Sequence, residues 1–138
     1  LATGGRVSGR EVSRNVVTHG RWCPGEQCVA QASEDLRVRV WDVRSMEVAQ
    51  LMEGHTNIPL CVDASPCGNL LLTSAHGFDS AGCEGRVWDR RTGKQLHQLE
   101  GHTESANACC FVRGPSGELL AATGGADRAV RLWSCETG

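Results

Sequence analysis

The chain has 138 residues, with 14 lysines and arginines against 16 aspartates and glutamates, and its formal net charge is -2. This near-neutral balance argues against a protein that binds nucleic acid through the phosphates. Hydrophobic residues make up 40% of the chain, but no apolar run approaches the roughly 20 residues of a membrane span. We therefore expect a globular segment that neither binds nucleic acid nor inserts into a membrane.

Three tryptophans recur at a regular interval along the chain. Trp41, Trp88 and Trp133 are 47 and 45 residues apart, and Gly54-His55 and Gly101-His102 are also 47 residues apart. A period of about 40 to 50 residues is typical of solenoids and propellers. Because these marks share one register, we interpret the chain as successive copies of one structural unit.

Each unit shows the period-two alternation of β-strands, with Pro/Gly turns between the strands. Trp41, Trp88 and Trp133 each end the third strand of a unit. The other predicted strands, in chain order, contain residues 22–23, 29–32, 47–51, 61–64, 70–74, 94–99, 111–113 and 119–123. This pattern predicts an all-β fold with four antiparallel strands in a complete unit.

Eight cysteines are spread along the chain, and several lie in apolar runs such as residues 108–111. We expect free, buried thiols there, with a disulfide scaffold as the alternative. Zinc sites favour Cys-x2-Cys pairs, whereas this chain offers Cys23-x4-Cys28 and Cys61-x5-Cys67. The sequence therefore predicts no metal and no other cofactor.

Gly101-His102, Thr123, Asp127 and Trp133 resemble the WD-repeat family, whose units begin near Gly-His and end in Trp-Asp. The resemblance implies a β-propeller in which each unit is a four-stranded blade. It also implies a hydrogen-bonded network of a His, a Ser or Thr, a turn Asp and the Trp indole in each blade. Such a network would satisfy polar groups that the fold buries.

The three blades carry this set of residues to different degrees. The third blade has all four residues: His102, Thr123, Asp127 and Trp133. In the second blade, Gly82 stands at the Asp position. The His, the Thr and the final Trp-Asp are present, as His55, Thr73, Trp88 and Asp89. In the first blade, Ser13 replaces the His and Gln31 replaces the Ser/Thr. The turn Asp and the final Trp-Asp are present, as Asp35, Trp41 and Asp42. We therefore expect a complete network in the third blade alone.

The resemblance divides the chain into blades. Residues 1–9 are the expected remnant of a preceding blade, followed by blades over residues 10–53, 54–100 and 101–138. The second has a long turn between strands, and the third is incomplete at its C-terminus. Three blades cannot close a ring, since propellers need about 4 to 8. We expect part of a ring of seven or eight blades; a partner chain that completes the ring is the alternative.

Nothing in the sequence resembles a catalytic centre. The repeat register gives His55, His102, Asp35 and Asp127 structural positions, and no nucleophile or phosphate-binding glycine loop accompanies them. We therefore expect no enzyme and no small-molecule substrate. Propellers bind peptides and proteins through loops at the two ends of the central channel, and the fold alone does not choose the ligand.

The long turn before Trp88 is the best candidate for a partner contact. It carries Phe78 and Asp79, and Phe78 is an apolar side chain able to fill a partner's pocket. The alternative is that Phe78 folds back onto its own blade while Cys83 and Glu84 fix the turn. Two further candidates for a partner contact directly follow Trp88-Asp89, namely Arg90 and Arg91. Because both are basic, their partner would be acidic.

Residues 13–19 and the long turn resemble a cilium-associated member of the WD-repeat family. The resemblance implies a non-catalytic, cytoplasmic scaffold that joins protein partners in a multi-subunit assembly at the cilium, the axoneme or the basal body. The alternative is a peptide-reading subunit of a chromatin or ubiquitin-ligase complex. That function requires a pocket of acidic and aromatic side chains, and aromatic residues make up only 4% of the chain.

Overall fold

The computed structural model describes Gly5 and residues 15–136. These residues form eleven β-strands and no helix, so the all-β prediction is confirmed for them. The strands are Val17–Cys23 (β1), Cys28–Ser33 (β2), Val38–Asp42 (β3), Glu47–Met52 (β4), Pro59–Ala64 (β5), Leu70–Ala75 (β6), Gly85–Asp89 (β7), Gln95–Leu99 (β8), Ala106–Arg113 (β9), Leu119–Gly125 (β10) and Val130–Ser134 (β11). Within the described part of the chain, a helix long and apolar enough to cross a membrane is absent.

The strands form three antiparallel sheets in chain order. The first sheet is β1-β2-β3-β4, the second is β5-β6-β7-β8, and the third is β9-β10-β11. Each strand pairs with its neighbour along the chain because short turns connect them. The predicted remnant over residues 1–9 and Ser13 lie outside the described residues, apart from Gly5.

The three sheets pack face to face, with their first strands side by side: β1 contacts β5, and β5 contacts β9. Two apolar cores result. The core between the first and second sheets contains Val38, Val40, Met52, Leu71 and Trp88 among its members. The core between the second and third sheets contains Leu72, Val87, Leu99, Cys109 and Ala121. The second sheet is therefore buried on both faces.

Asp63 of β5 links all three sheets. Its Oδ1 lies 2.8 Å from Nε of Arg21 in the first sheet. Its Oδ2 accepts the backbone N–H of Phe111 in the third sheet at 2.7 Å. The Asp63 side chain is buried and Arg21 is exposed. This carboxylate therefore links the first strands of the three sheets at one point.

All eight cysteines lie in the described residues, and all are free thiols, as the sequence predicts. Four are buried, namely Cys23, Cys28, Cys83 and Cys109. Two are half-buried, Cys61 and Cys135, and two are exposed, Cys67 and Cys110. The expectation of buried thiols therefore fits half of them, because the others lie at turns or on sheet faces with less cover.

Candidate protein-interaction site

The third sheet brings together the four residues that the sequence places in a network. Trp133 on β11 donates its indole N–H to Oγ1 of Thr123 on β10 at 2.9 Å. The Thr123 hydroxyl lies 2.9 Å from Nε2 of His102. On the other side of the ring, His102 Nδ1 lies 2.9 Å from Oδ2 of Asp127. One chain of hydrogen bonds therefore runs from the β11 indole to the turn carboxylate.

Asp127 holds the turn between β10 and β11. Its carboxylate accepts the backbone N–H of Ala129 at 3.1 Å and that of Thr103 at 3.2 Å. Arg131 adds an ion pair at 2.8 Å. Burial raises the pKa of Asp127, but the bonds from His102, the two amides and Arg131 outweigh it and hold this pKa well below its usual range.

The second sheet has the same centre without the aspartate. Trp88 donates its indole N–H to Oγ1 of Thr73 at 2.8 Å, and His55 Nε2 lies 2.7 Å from the same oxygen. Among the described residues, His55 Nδ1 has no hydrogen-bond partner although it is buried. Burial and, to a smaller extent, the nearby Arg86 charge together lower the pKa of His55 to about 4. His55 is therefore neutral at pH 7.

Glu84 takes over part of the missing aspartate's role. Its Oε1 pairs with Arg86 at 2.8 Å and lies 3.5 Å from the Thr56 hydroxyl. Arg86 occupies the same place before Trp88 as Arg131 does before Trp133. The lengthened turn thus supplies a carboxylate for the arginine from a different position, which sequence spacing alone did not reveal.

The first sheet substitutes an amide for the hydroxyl. The Trp41 indole N–H donates to Oε1 of Gln31, so the amide fills the Ser/Thr position. Asp35 accepts the backbone N–H of Arg37 at 3.3 Å and pairs with Arg39 at 2.5 Å. The bond from Arg39 lowers the pKa of Asp35. The sequence analysis counted Gln31 as a missing member of the network. The amide oxygen of a glutamine can accept a hydrogen bond, so the residue type itself indicated that Gln31 could replace the Ser/Thr hydroxyl.

The long turn between β6 and β7 contains a tight reversal at Phe78. Phe78 and Ala81 exchange backbone hydrogen bonds at 3.1 and 3.0 Å. The two central residues, Asp79 and Ser80, have φ angles of 52° and 62°. Positive φ at both central positions makes this a type I′ turn, which normally carries Asn and Gly. Asp79 and Ser80 are thus held in a backbone region that non-glycine residues rarely adopt.

Contacts with the loop before β9 hold this turn in place. Ser80 donates its backbone N–H to the Thr103 carbonyl at 2.9 Å. Gly77 donates to Oγ of Ser105 at 3.1 Å, and this hydroxyl donates back to the Gly77 carbonyl at 3.0 Å. Phe78 is 75% exposed at the tip. Phe78 therefore points into solvent and does not fold back onto its sheet.

The base of the same turn is buried. Cys83 and Glu84 are both buried, and Glu84 holds Arg86. A Cβ atom at Gly77 would lie 2.5 Å from the backbone N and from Sγ of Cys83, so the close approach requires a glycine. The two alternatives weighed from the sequence thus describe different parts of one turn: a fixed base and an exposed tip.

Arg90 corrects one prediction from the sequence. Arg90 is only 7% exposed, and its Nε donates to the Gly68 carbonyl at 2.5 Å. Its Nη2 pairs with Glu26 of the first sheet at 2.6 Å. The guanidinium is therefore committed to the contact between two sheets and offers nothing to a partner. Arg91, by contrast, is exposed.

The family model described as WD domain, G-beta repeat matches residues 46–89 and 93–134, which together exceed half of the chain. The chain belongs to this WD-repeat family. The three sheets are accordingly its first, second and third blades, consistent with part of a β-propeller. Both matched segments run from a blade's outer strand or turn to the strand that carries the next tryptophan.

Curated relatives match most of this chain. It is 29% identical to the nuclear distribution protein PAC1 of Arthroderma benhamiae over 93% of its length, which covers 28% of PAC1. It is 31% identical to PAC1 of Gibberella zeae over 80% of its length, covering 25% of that protein. It is 29% identical to the COMPASS component SWD3 of Saccharomyces cerevisiae over 96% of its length, covering 42% of SWD3. The chain thus spans less than half the length of these relatives.

A polar cavity of about 380 Å³ lies beside the long turn, between the second and third blades. Its lining is Ser80, Gly82, Glu84, Gln98, Glu100, Gly101 and His102. Two carboxylates, from Glu84 and Glu100, thus face one cleft. Over residues 15–136, no group of three His, Cys, Asp or Glu side chains is arranged to hold a metal ion.

Proposed function

We propose that this chain is part of a WD-repeat scaffold that joins proteins into a larger assembly, with the turn over residues 76–84 as a docking element. The observation that carries this proposal is Phe78, an aromatic side chain 75% exposed on a turn with a fixed backbone. Aromatic anchors supply much of the binding energy at protein interfaces. A fixed backbone reduces the entropy that binding would otherwise cost.

The charges around Phe78 indicate the chemistry of its partner. Asp79 and Glu104 are exposed near the tip, and Glu84 and Glu100 line the adjacent cleft. Complementary potentials steer association and align the two surfaces. The partner we propose is therefore a protein with an apolar pocket for Phe78 and basic side chains at its border.

The cellular setting we propose is the cytoplasm at the cilium, the axoneme or the basal body. Support comes from residues 13–19 and the turn through Phe78 and Glu84, which resemble WD repeat-containing protein 31. WD-repeat domains generally mediate protein contacts without catalysis, which agrees with a scaffold in this setting.

A second candidate is a peptide-reading subunit of a chromatin complex, or of a ubiquitin ligase. The likeness to COMPASS component SWD3 favours the chromatin complex. A cavity of about 550 Å³ on the first blade is lined by Trp22, by two carboxylates, of which Glu26 also pairs with Arg90, and by Arg44; the second carboxylate is Asp42. Such a combination suits a cationic side chain of a peptide.

Affinity purification of the full-length tagged protein from ciliated cells tests the first candidate. Phe78→Ala should reduce recovery of its partners by about tenfold or more, the usual loss when an anchor is removed. Leu96→Ala is the matched control, because Leu96 is also exposed, at 47%, on the outer strand of the same blade.

Three results distinguish the candidates. Ciliary or axonemal proteins that are lost with Phe78→Ala and kept with Leu96→Ala support the scaffold and its docking turn. Chromatin or ligase subunits that are lost with Trp22→Ala instead support the peptide reader. Partners that both Phe78→Ala and Trp22→Ala retain would contradict both assignments of the contact surface.

A further inference from the structure

Two thiols meet where the second blade packs against the third. Cys61 lies on β5 and Cys109 on β9, the adjacent first strands of the two blades. The Cys61 sulfur is 3.6 Å from the Cys109 carbonyl oxygen, so the Cys61 side chain lies against Cys109. The Cys109 sulfur also lies 3.5 Å from the Leu72 carbonyl oxygen. Backbone contacts therefore hold both sulfurs in one place.

The two thiols have different surroundings. Cys61 is half-buried and Cys109 is buried. The hydrogen bond with Cys109 lowers the pKa of Cys61 to about 6, although burial and the nearby Asp63 oppose this shift. The same bond and burial raise the pKa of Cys109. Cys61 is therefore the nucleophile of the pair, and Cys109 is the protonated neighbour that resolves an oxidised Cys61.

We propose that Cys61 and Cys109 are a peroxide-reactive pair that forms a disulfide between the second and third blades. The Cys61 thiolate attacks one oxygen of hydrogen peroxide, the O–O bond breaks, and the other oxygen leaves as hydroxide. This hydroxide takes up the proton that Cys61 released. The Cys109 sulfur then attacks the Cys61 sulfenic acid: the S–S bond forms, the S–O bond breaks, and the hydroxyl leaves with the Cys109 proton as water.

A second cysteine pair in the same chain serves as an internal control. Cys23 and Cys28 stand directly opposite each other across the β1–β2 turn, and both are buried. Burial raises the pKa of both thiols. Neither is therefore a thiolate at pH 7, and we expect this pair to stay reduced at peroxide concentrations that oxidise Cys61.

The test uses the full-length protein with its two exposed cysteines replaced, Cys67→Ser and Cys110→Ser, and hydrogen peroxide as the probe. After peroxide treatment and blocking of the remaining thiols, cleavage before aspartate separates Cys61, in residues 42–62, from Cys83. We expect residues 42–62, with Cys61, to be joined by a disulfide to residues 89–126, with Cys109. Dithiothreitol should separate the two peptides. The same linkage in the unsubstituted protein, assigned by fragmentation, guards against a folding defect of the variant.

Further variants and the rate distinguish this chemistry from random oxidation. Cys109→Ser should leave a Cys61 sulfenic acid that dimedone traps, and Cys61→Ser should abolish both products. Because the thiolate is the reacting form, a Cys61 pKa of about 6 predicts that the rate of its reaction with peroxide falls about tenfold from pH 7 to pH 5. The rate for an ordinary thiol falls about a hundredfold over the same range. The proposal is overturned by absence of the linked peptide, by equal linkage in urea, or by earlier oxidation of Cys23 and Cys28.

Discussion

The second and third blades hold their tryptophans in place by different means. Both use a threonine that accepts the indole N–H and contacts a histidine. The third blade completes this network with Asp127, yet Leu132, beside its tryptophan, is 63% exposed. The second blade leaves His55 without a carboxylate, yet the corresponding Val87 is fully buried. The polar network is therefore complete in the third blade and incomplete in the second, while the second blade is covered on both faces by its neighbours in this chain.

The largest difference between the blades should appear at the tryptophans. Trp88 is 1% exposed, so Trp88→Ala should lower the free energy of unfolding by about 3–5 kcal/mol. Trp133 is half-buried, so Trp133→Ala should cost about 1–3 kcal/mol. Urea unfolding followed by circular dichroism measures both. Equal losses would contradict the view that burial distinguishes the blades.

The histidine without a carboxylate should make the second blade sensitive to acid. The pKa of His55 is about 4 in the folded protein, against 6.5 in the unfolded chain, so the unfolded chain takes up the proton first. The free energy of unfolding is therefore highest above pH 6.5 and falls towards pH 4, by up to about 3 kcal/mol. Urea unfolding between pH 4 and 7 tests this. His55→Gln should flatten the curve, and an unchanged slope would rule out His55 as its origin.

Restoring the family's aspartate in the second blade should not repair its network. Gly82→Asp places a Cβ atom 2.3 Å from the Asn57 side-chain nitrogen, at a φ of +73°. Strain of this kind should cost about 1–3 kcal/mol, measured by urea unfolding. Gly117→Asp is the matched control, since Gly117 has a φ of +85° and no atom within 4 Å of a new Cβ. A Gly82 variant more stable than this control would contradict the expected clash with Asn57.

The smallest effect is expected on the open face of the third blade. Leu132→Thr should change the free energy of unfolding by about 0.5 kcal/mol or less, because the side chain is 63% exposed. Val87→Thr, at the matching position, buries a hydroxyl and should cost about 1–3 kcal/mol. Thermal melts of residues 1–138 and of the full-length protein compare the two. A large loss for Leu132→Thr in residues 1–138 would contradict its exposure.

Much of this fold is readable from the amino-acid order. The spacing of Trp41, Trp88 and Trp133, with period-two alternation before each, predicts the strands and their antiparallel pairing. These signals are local, because a strand's side-chain alternation and its turn residues depend on neighbours along the chain. The partners that meet around His102 were predictable through the resemblance to the WD-repeat family, which implies such a network at these positions.

Contacts between turns that are distant along the chain depend on the packing of the blades. Only the tertiary structure shows that Glu84 replaces an aspartate for Arg86, and that Arg90 pairs with Glu26 of another blade. It also decides that Phe78 projects into solvent from a turn held by Thr103 and Ser105. The physical reason is that a side chain's partners depend on differences of a few ångströms between packed blades, which no spacing in the sequence records.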